Sequence, residues 1–165
     1  MRGKIVAAET AHDAVRRYVN SAADRPRTIA PRTLERIHAD TLPACQTSRL
    51  ERMDRGAVVA TCRGLPAATE GFPFGEGALV FKVGGKMFAI VGASSVSLKC
   101  DPVYAAAFRE QYSSVTAGYH LDKRHWNTVE LDGSVPAEVL TDWIQDSYDL
   151  VVDGLPRAQR QALRG

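Results

Sequence analysis

The sequence has no long hydrophobic run and few cysteines. No stretch approaches the roughly 20 apolar residues that a membrane-spanning helix needs. Residues 1–19 carry both acidic and basic side chains, unlike the apolar core of a secretory signal. We therefore expect a cytoplasmic protein that does not enter a membrane. The three cysteines, Cys45, Cys62 and Cys100, are odd in number and widely spaced, so they predict neither a disulfide framework nor a zinc site.

A strong excess of charge is also missing, because the net charge of the 165 residues is +2. The charge is unevenly spread along the chain. Residues 1–52 contain ten Lys or Arg and six Asp or Glu, whereas residues 53–165 contain eleven and thirteen. The first segment therefore has a net charge of +4 and the second of −2. The mild basicity of the whole chain is thus no evidence that its folded part binds nucleic acid.

Two regions with different patterning divide the chain. Residues 1–52 contain no strand-like apolar run, and Pro26 and Pro31 disfavour helix in their middle. We expect a basic, poorly ordered extension over residues 1–52 and a folded domain over residues 53–165, with Met53 as an alternative first residue. A functional alternative is that the extension is an arm that touches phosphates.

The domain has clear signals for helices and strands. Gly84-Gly85 between two apolar runs predicts a two-residue hairpin that joins strands over 78–83 and 86–91. Asp101-Pro102 predicts a helix start. The remaining predicted elements are a helix over 57–63, a strand over 95–100, the helix over 102–112, a strand over 126–131 and a last helix over 136–154. This α-β-β-β-α-β-α order predicts an α+β fold, an antiparallel sheet with helices packed on one face.

Strand alternation assigns the side chains to the two faces of this sheet. Regular pairing from the Gly84-Gly85 turn places four apolar residues on the core face, namely Leu79, Phe81, Phe88 and Ile90. It places the rest of the hairpin on the other face, namely Val80, Lys82, Met87, Ala89 and Val91. By the same alternation Lys99 and Trp126 face outward.

Five segments, in this order, resemble one known family. They are Phe72-Pro-Phe-Gly, Leu79-Val-Phe-Lys-Val-Gly-Gly-Lys-Met-Phe-Ala, Leu98-Lys-Cys-Asp-Pro, Gly118-Tyr-His-Leu-Asp-Lys-Arg-His-Trp-Asn-Thr-Val and Ser147-Tyr-Asp-Leu-Val-Val-Asp-Gly-Leu-Pro. Residues 53–163 resemble the MmcQ/YjbR family of small bacterial proteins. The resemblance implies a CyaY-like fold, related in shape to frataxin, and DNA binding through a double-wing arrangement. It brings no catalytic residues.

The densest polar cluster is the loop of residues 119–127, which combines cations, histidines and aromatic rings. This composition suits contact with phosphates and stacking on bases. The predicted nucleic-acid contacts are Lys82, Lys99, Tyr119, His120, Lys123, Arg124, Trp126 and Asn127. We expect weak, salt-sensitive binding of double-stranded DNA. The structural alternative is that Tyr119 and Trp126 cap an edge of the core while the cations are simply solvated.

Other chemistry has less support in the sequence. His120, Asp122 and His125 are possible metal ligands, but their spacing matches no compact motif, so no metal or cofactor is expected. Cys100 precedes a helix, where a thiolate could be stabilised, although a buried structural cysteine is the commoner case. The last helix carries an acidic stripe that suits a weak iron site or, more simply, a solvated face. Its members are Glu138, Asp142, Asp146, Asp149 and Asp153.

The sequence therefore favours a non-enzymatic DNA-binding protein. The alternative is an accessory domain that binds a small molecule or another protein, for example in drug resistance. In that case the aromatic residues of the 119–127 loop would line a pocket. An enzyme has the least support, because no pair of nucleophile and base is recognisable.

Overall fold

The structure is a computed structural model that describes residues 52–164. The extension expected over residues 1–52, and its alternative as a phosphate-contacting arm, lie outside the described residues except for Arg52. Between residues 52 and 164 no helix has the length and apolar character needed to cross a bilayer.

The described helices and strands form an α+β arrangement, as predicted. The described helices are α1 (Arg55–Arg63), α2 (Pro102–Gln111), α3 (Ala137–Asp153) and α4 (Arg157–Arg164). The described strands are β1 (Thr69–Gly71), β2 (Leu79–Val83), β3 (Lys86–Val91), β4 (Ser95–Lys99), β5 (Val115–Ala117) and β6 (Trp126–Glu130). They form one antiparallel sheet in the order β1-β2-β3-β4-β6-β5. The predicted fold class is confirmed.

Two aspartates start helices in this domain. Asp54 accepts a hydrogen bond from the amide of Ala57 at 2.8 Å, before α1. Asp101 accepts one from the amide of Val103 at 2.9 Å, and Pro102 occupies the first turn of α2. These side chains satisfy amide groups that lack partners within the helix. The starts of both helices thus follow from local sequence.

The core lies between one face of the sheet and the helices. Phe88 of β3 meets Tyr148 of α3 edge to face, with ring centroids 5.5 Å apart. Phe108 of α2 stacks on Trp143 of α3 at 4.4 Å. Helices α2 and α3 therefore cover the same side of the sheet, and we call the opposite side the outer face.

The hairpin pairing follows the prediction next to the turn and departs from it further on. Lys82 lies opposite Met87 as expected, but Phe81 lies opposite Ala89. Phe88 is thus an extra residue in β3, a β-bulge, and both Phe88 and Ala89 belong to the buried core.

The bulge reverses the predicted faces for the rest of β3. Alternation predicts that Ala89 and Val91 face outward, yet both are buried in the core. It predicts that Ile90 faces the core, yet this residue lies between them and is only half-buried. The prediction is wrong here because a single added residue shifts all later side chains to the other face.

Three short elements are absent from the prediction. Strands β1 and β5 have three residues each and form the two edges of the sheet. A three-residue edge strand is held by backbone hydrogen bonds to the neighbouring strand. It is too short to show an alternation of apolar and polar residues. Helix α4 has eight residues, of which Leu163 is the one large apolar side chain, so its apolar side is too narrow to stand out in the sequence.

Candidate nucleic-acid interface

Two lysines, Lys82 and Lys99, lie on the outer face at one end of the sheet, and we call them the lysine row. Lys82 lies between two core residues of β2, so its side chain belongs to the outer face, where it lies opposite Met87. Lys99 of β4 lies opposite Trp126 of β6. The pairing of β3 with β4 brings Met87 and Lys99 to the same end of the sheet. Only β3 separates the two lysine-bearing strands, so the lysine backbones are about 10 Å apart.

Trp126 lies beside Lys99 of this row, but its ring is covered. The residue is only 6% exposed, and Lys99 Nζ lies 5.5 Å from the ring centroid. The chain that follows β5 approaches closely, since a Cβ atom added to Gly118 would lie 2.8 Å from Trp126 Cβ. This corrects the prediction that Trp126 offers an open stacking surface. Its ring instead supports Lys99 through a cation–π contact.

Asn127 is also unavailable for contact with a ligand. It is buried, and its amide nitrogen donates to the Ala105 carbonyl at 3.1 Å. Its side-chain oxygen accepts a hydrogen bond from Arg109 Nε at 2.8 Å. The prediction of Asn127 as a nucleic-acid contact is therefore corrected. The side chain joins β6 to α2, because its position on β6 points toward the helices.

Arg109 positions the loop of residues 118–125. Besides its bond to Asn127, it donates from Nη2 to the Lys123 carbonyl at 2.7 Å. The guanidinium thus links a buried residue of the sheet to the backbone of the loop. The sequence does not indicate this role, because no local pattern around Arg109 shows that the fold places the loop beside α2.

Asp122 closes a turn within the same loop. Its carboxylate accepts from the Arg124 amide at 2.9 Å and lies 2.9 Å from His125 Nδ1. The amide of Arg124, and after it the His125 side chain, lower the pKa of Asp122. The carboxyl therefore stays ionised at neutral pH and fixes the backbone that carries Lys123 and Arg124.

The tip of the loop presents an aromatic ring to solvent. Tyr119 is 79% exposed. Its ring centroid lies 4.0 Å from that of His120, whose φ of 56° is left-handed. Lys123 and Arg124 are exposed in the same loop. The loop thus combines two cations and an open aromatic surface on a backbone held by hydrogen bonds.

The loop and the lysine row lie at the same end of the sheet. The loop runs from Ala117 of β5 to Trp126, and Trp126 is the direct neighbour of Lys99. Six of the eight predicted contact residues share this end, while Trp126 and Asn127 serve to hold it. We call these six the basic edge: Lys82, Lys99, Tyr119, His120, Lys123 and Arg124.

The acidic stripe lies in a different layer. Helix α3, which carries all five acidic residues, packs on the core face and not on the outer face. In the part of the chain that the structure describes, no three His, Cys, Asp or Glu side chains come together as a metal site. A ligand at the basic edge therefore meets the outer face and the loop rather than the acidic helix.

Cys100 does not provide a stabilised thiolate. Burial, reinforced by the nearby charges of Asp101 and Asp146, raises the pKa of its thiol to about 12. The thiol is therefore protonated at neutral pH. This favours the structural alternative for Cys100 over the reactive one.

Comparison with known proteins identifies the family of this domain. The family model of YjbR matches residues 63–150, more than half of the chain. The chain is 36% identical over 104 residues to the uncharacterized protein YbdF of Escherichia coli O157:H7, covering 61% of this chain and 85% of that protein. It is also 36% identical over 106 residues to the uncharacterized protein YjbR of Escherichia coli strain K12, covering 62% and 90%.

A solved structure is also similar to this chain. The crystal structure of Deinococcus radiodurans protein DR2400 has a TM-score of 0.63 and 37% sequence identity, and covers 72% of this chain and 91% of that one. Sequence and structure thus agree with the resemblance that the five collinear segments predicted. The chain belongs to the YjbR family.

Proposed function

We propose that this protein binds DNA without catalysis, and that the DNA contacts the basic edge. The observation that carries the proposal is the shared location of four cations. Lys82 and Lys99 lie on the outer face at one end of the sheet, and Lys123 and Arg124 lie in the loop at the same end. Cations gathered on one surface can neutralise neighbouring phosphates of a nucleic-acid backbone.

Hydrogen bonds within the domain hold the backbone of the loop. Arg109 and Asp122 hold the backbone at Lys123 and Arg124 through bonds of 2.7 and 2.9 Å. Binding therefore costs less conformational entropy than it would in a free loop. This favours a recognition role for the loop over the alternative of merely solvated cations.

The small-molecule alternative has less support from the geometry. A pocket lined by the aromatic residues of the loop needs Tyr119 and Trp126 to face one cavity. Tyr119 faces solvent, whereas Trp126 is only 6% exposed and Lys99 lies over its ring. The two rings therefore do not form a shared wall.

The expected binding is weak and steeply dependent on salt. Each phosphate contact adds about 0.9 to the slope of log affinity against log salt for duplex DNA, so four contacts give a slope of about −3.6. Raising the salt from about 50 to about 200 mM then weakens binding roughly 100-fold. The net charge of −2 on residues 53–165 opposes binding elsewhere on the domain.

The test is a salt titration of DNA binding by fluorescence anisotropy, using both a labelled duplex and one of its single strands. We expect Lys123→Ala/Arg124→Ala to weaken binding and to make the duplex slope shallower by about 1.8. The matched control is Arg55→Ala/Arg63→Ala, which removes the same charge from α1 on the core side of the sheet. The control should change the slope far less.

Two results would overturn the proposal. One is the lack of any DNA binding by the full chain at low salt. The other is an equal loss of affinity in the two double variants, because net charge alone would then explain the binding.

A further inference from the structure

We infer that the basic edge recognises unpaired bases in preference to duplex DNA, with Tyr119 as the stacking residue. This inference rests on the proposed function and concerns the form of the ligand. Among the described residues, Tyr119 is the most exposed of the large apolar side chains. An aromatic ring that is open to solvent and lies beside cations is the combination that binds single strands.

The backbone on both sides of Tyr119 is held by hydrogen bonds. On one side, the Gly118 amide donates to the Trp126 carbonyl at 2.9 Å. On the other side, His120 has a left-handed φ of 56°, which is unfavourable for a residue with a Cβ atom. The amide of Leu121 bonds back to Gly118. A locally unfavourable conformation that is held by its surroundings is typical of a functional position.

Tyr119 is the aromatic residue of the loop that can stack on a base. Trp126, the other aromatic residue, is only 6% exposed, and Lys99 lies over its ring. The imidazole of His120 lies beside the tyrosine ring, with centroids 4.0 Å apart, and widens the surface. Lys123 and Arg124, in the same loop, are available for the phosphates on either side of a stacked base.

The charge of the domain also favours a single strand. A duplex has the higher charge density and depends chiefly on phosphate contacts, of which the basic edge offers about four. Its bases are already stacked on one another, so a ring at a loop tip gains little from them without unstacking a step. An unpaired base offers its face directly, and one such contact is worth about 5- to 150-fold in affinity.

Single-stranded DNA and single-stranded RNA both offer unpaired bases beside phosphates. An experiment can distinguish the two. We propose anisotropy measurements at about 100 mM salt with an oligothymidylate of about 12 nucleotides, an oligouridylate of the same length and a hairpin duplex. At least one single strand should bind about tenfold more tightly than the duplex. The tighter of the two single strands identifies DNA or RNA as the source, because the 2′-hydroxyl separates them.

Substitution of Tyr119 separates stacking from charge. We expect Tyr119→Ala to weaken single-strand binding by about fivefold or more and to weaken duplex binding far less, whereas Tyr119→Phe retains the affinity. The side chain is exposed, so neither variant should lower the melting temperature measurably. Lys123→Ala/Arg124→Ala should weaken binding of both kinds of nucleic acid.

The possible results distinguish a failure of this inference from a failure of the proposed function. If duplex binds as tightly as both single strands, or if Tyr119→Ala changes nothing, the inference fails while DNA binding by the basic edge stands. If none of the three ligands binds the full chain, the proposed function fails, and the inference fails with it.

Discussion

Ser147 of α3 donates a hydrogen bond of 2.5 Å to the carbonyl of Phe88, the residue that forms the bulge in β3. The same hydroxyl accepts from the amide of Lys99 at 2.8 Å. A bulge interrupts the ladder between neighbouring strands and leaves backbone groups without partners. One buried hydroxyl thus satisfies a carbonyl of β3 and an amide of β4, next to the lysine row.

We expect Ser147→Ala to lower the free energy of unfolding by about 2 to 4 kcal/mol, because it leaves two buried backbone groups unsatisfied. Urea denaturation measures this change. Ser113→Ala is the matched control, since Ser113 lies exposed in a turn and its loss should cost less than about 0.5 kcal/mol. Equal stability of the two variants would contradict the role assigned to Ser147.

The bulge also marks a limit of prediction from sequence. The Gly84-Gly85 turn sets the register at Lys82 and Met87, and that part was predictable from local signals. The Phe88 carbonyl at the bulge accepts its hydrogen bond from Ser147, which lies 59 residues further along the chain. No local pattern contains that contact, so alternation alone gave the wrong faces for the three residues beyond Phe88.

The candidate site shows the same division. Lys123, Arg124 and Tyr119 were predictable as exposed, because they lie in a polar loop. The burial of Trp126 and Asn127 was not predictable, since it depends on the close approach of Gly118 and on Arg109 from another element. Side-chain type indicates what a residue can bind, whereas tertiary contacts decide whether it is accessible.

Gly118 should tolerate no side chain. We expect Gly118→Ala to destabilise the domain by about 1 to 3 kcal/mol and to weaken nucleic-acid binding, because the new Cβ lies 2.8 Å from Trp126 Cβ. Either the strand or the loop must move to relieve this contact. Urea denaturation and anisotropy on the same variant measure both effects.

Gly77→Ala is the control for this experiment. An added Cβ at Gly77 meets no atom within 4 Å, so stability should be unchanged or slightly increased. Similar destabilisation by both substitutions would show that the contact with Trp126 is unimportant.

The pKa of Asp122 should depend more on the backbone than on His125. The amide of Arg124 is the larger cause of the lowered pKa, and the His125 side chain is the next. We therefore expect His125→Ala to raise the pKa of Asp122 only part of the way toward its ordinary value of 3.8. Carbon-13 NMR titration of the carboxyl groups measures it directly. Complete recovery of the ordinary value would contradict this assignment.

The same pKa fixes the pH range in which Asp122 orders the loop. A carboxyl whose pKa is lowered by folding contributes stability above its unfolded pKa and loses it as the pH falls through the folded one. The hydrogen bond from the Arg124 amide should therefore be intact above about pH 4 and weaken below it. The NMR shift of that amide reports the change. A midpoint above the ordinary value of 3.8 would show that folding raises the pKa of Asp122 rather than lowering it.

The two described cysteines should be unreactive in the folded protein. Burial raises the pKa of both Cys62 and Cys100 to about 12, from an ordinary value of 9.0. The thiolate fraction near pH 8 is then about 1000-fold lower than in the unfolded chain. In a Cys45→Ser background, a thiol reagent should label the native protein at least that much more slowly than the urea-unfolded one. Comparable rates would return Cys100 to consideration as a nucleophile.

The two lysines of the row should contribute separately to DNA binding. Their backbones are about 10 Å apart, so Lys82→Ala and Lys99→Ala should each make the duplex salt slope shallower by about 0.9, and together by about 1.8. Lys99→Ala should also shift the tryptophan emission, because the lysine ammonium lies 5.5 Å from the centroid of the Trp126 ring.

Lys86→Ala is the charge-matched control for the lysine row. Lys86 lies on the same hairpin, but its ammonium group donates to the Gly154 carbonyl at 2.9 Å, on the side of the helices. Its loss removes one positive charge without touching the outer face, so the slope should stay nearly constant. If Lys86→Ala reduced the slope as much as Lys82→Ala, the DNA would respond to the charge of the whole hairpin, and the outer face could not be its contact surface.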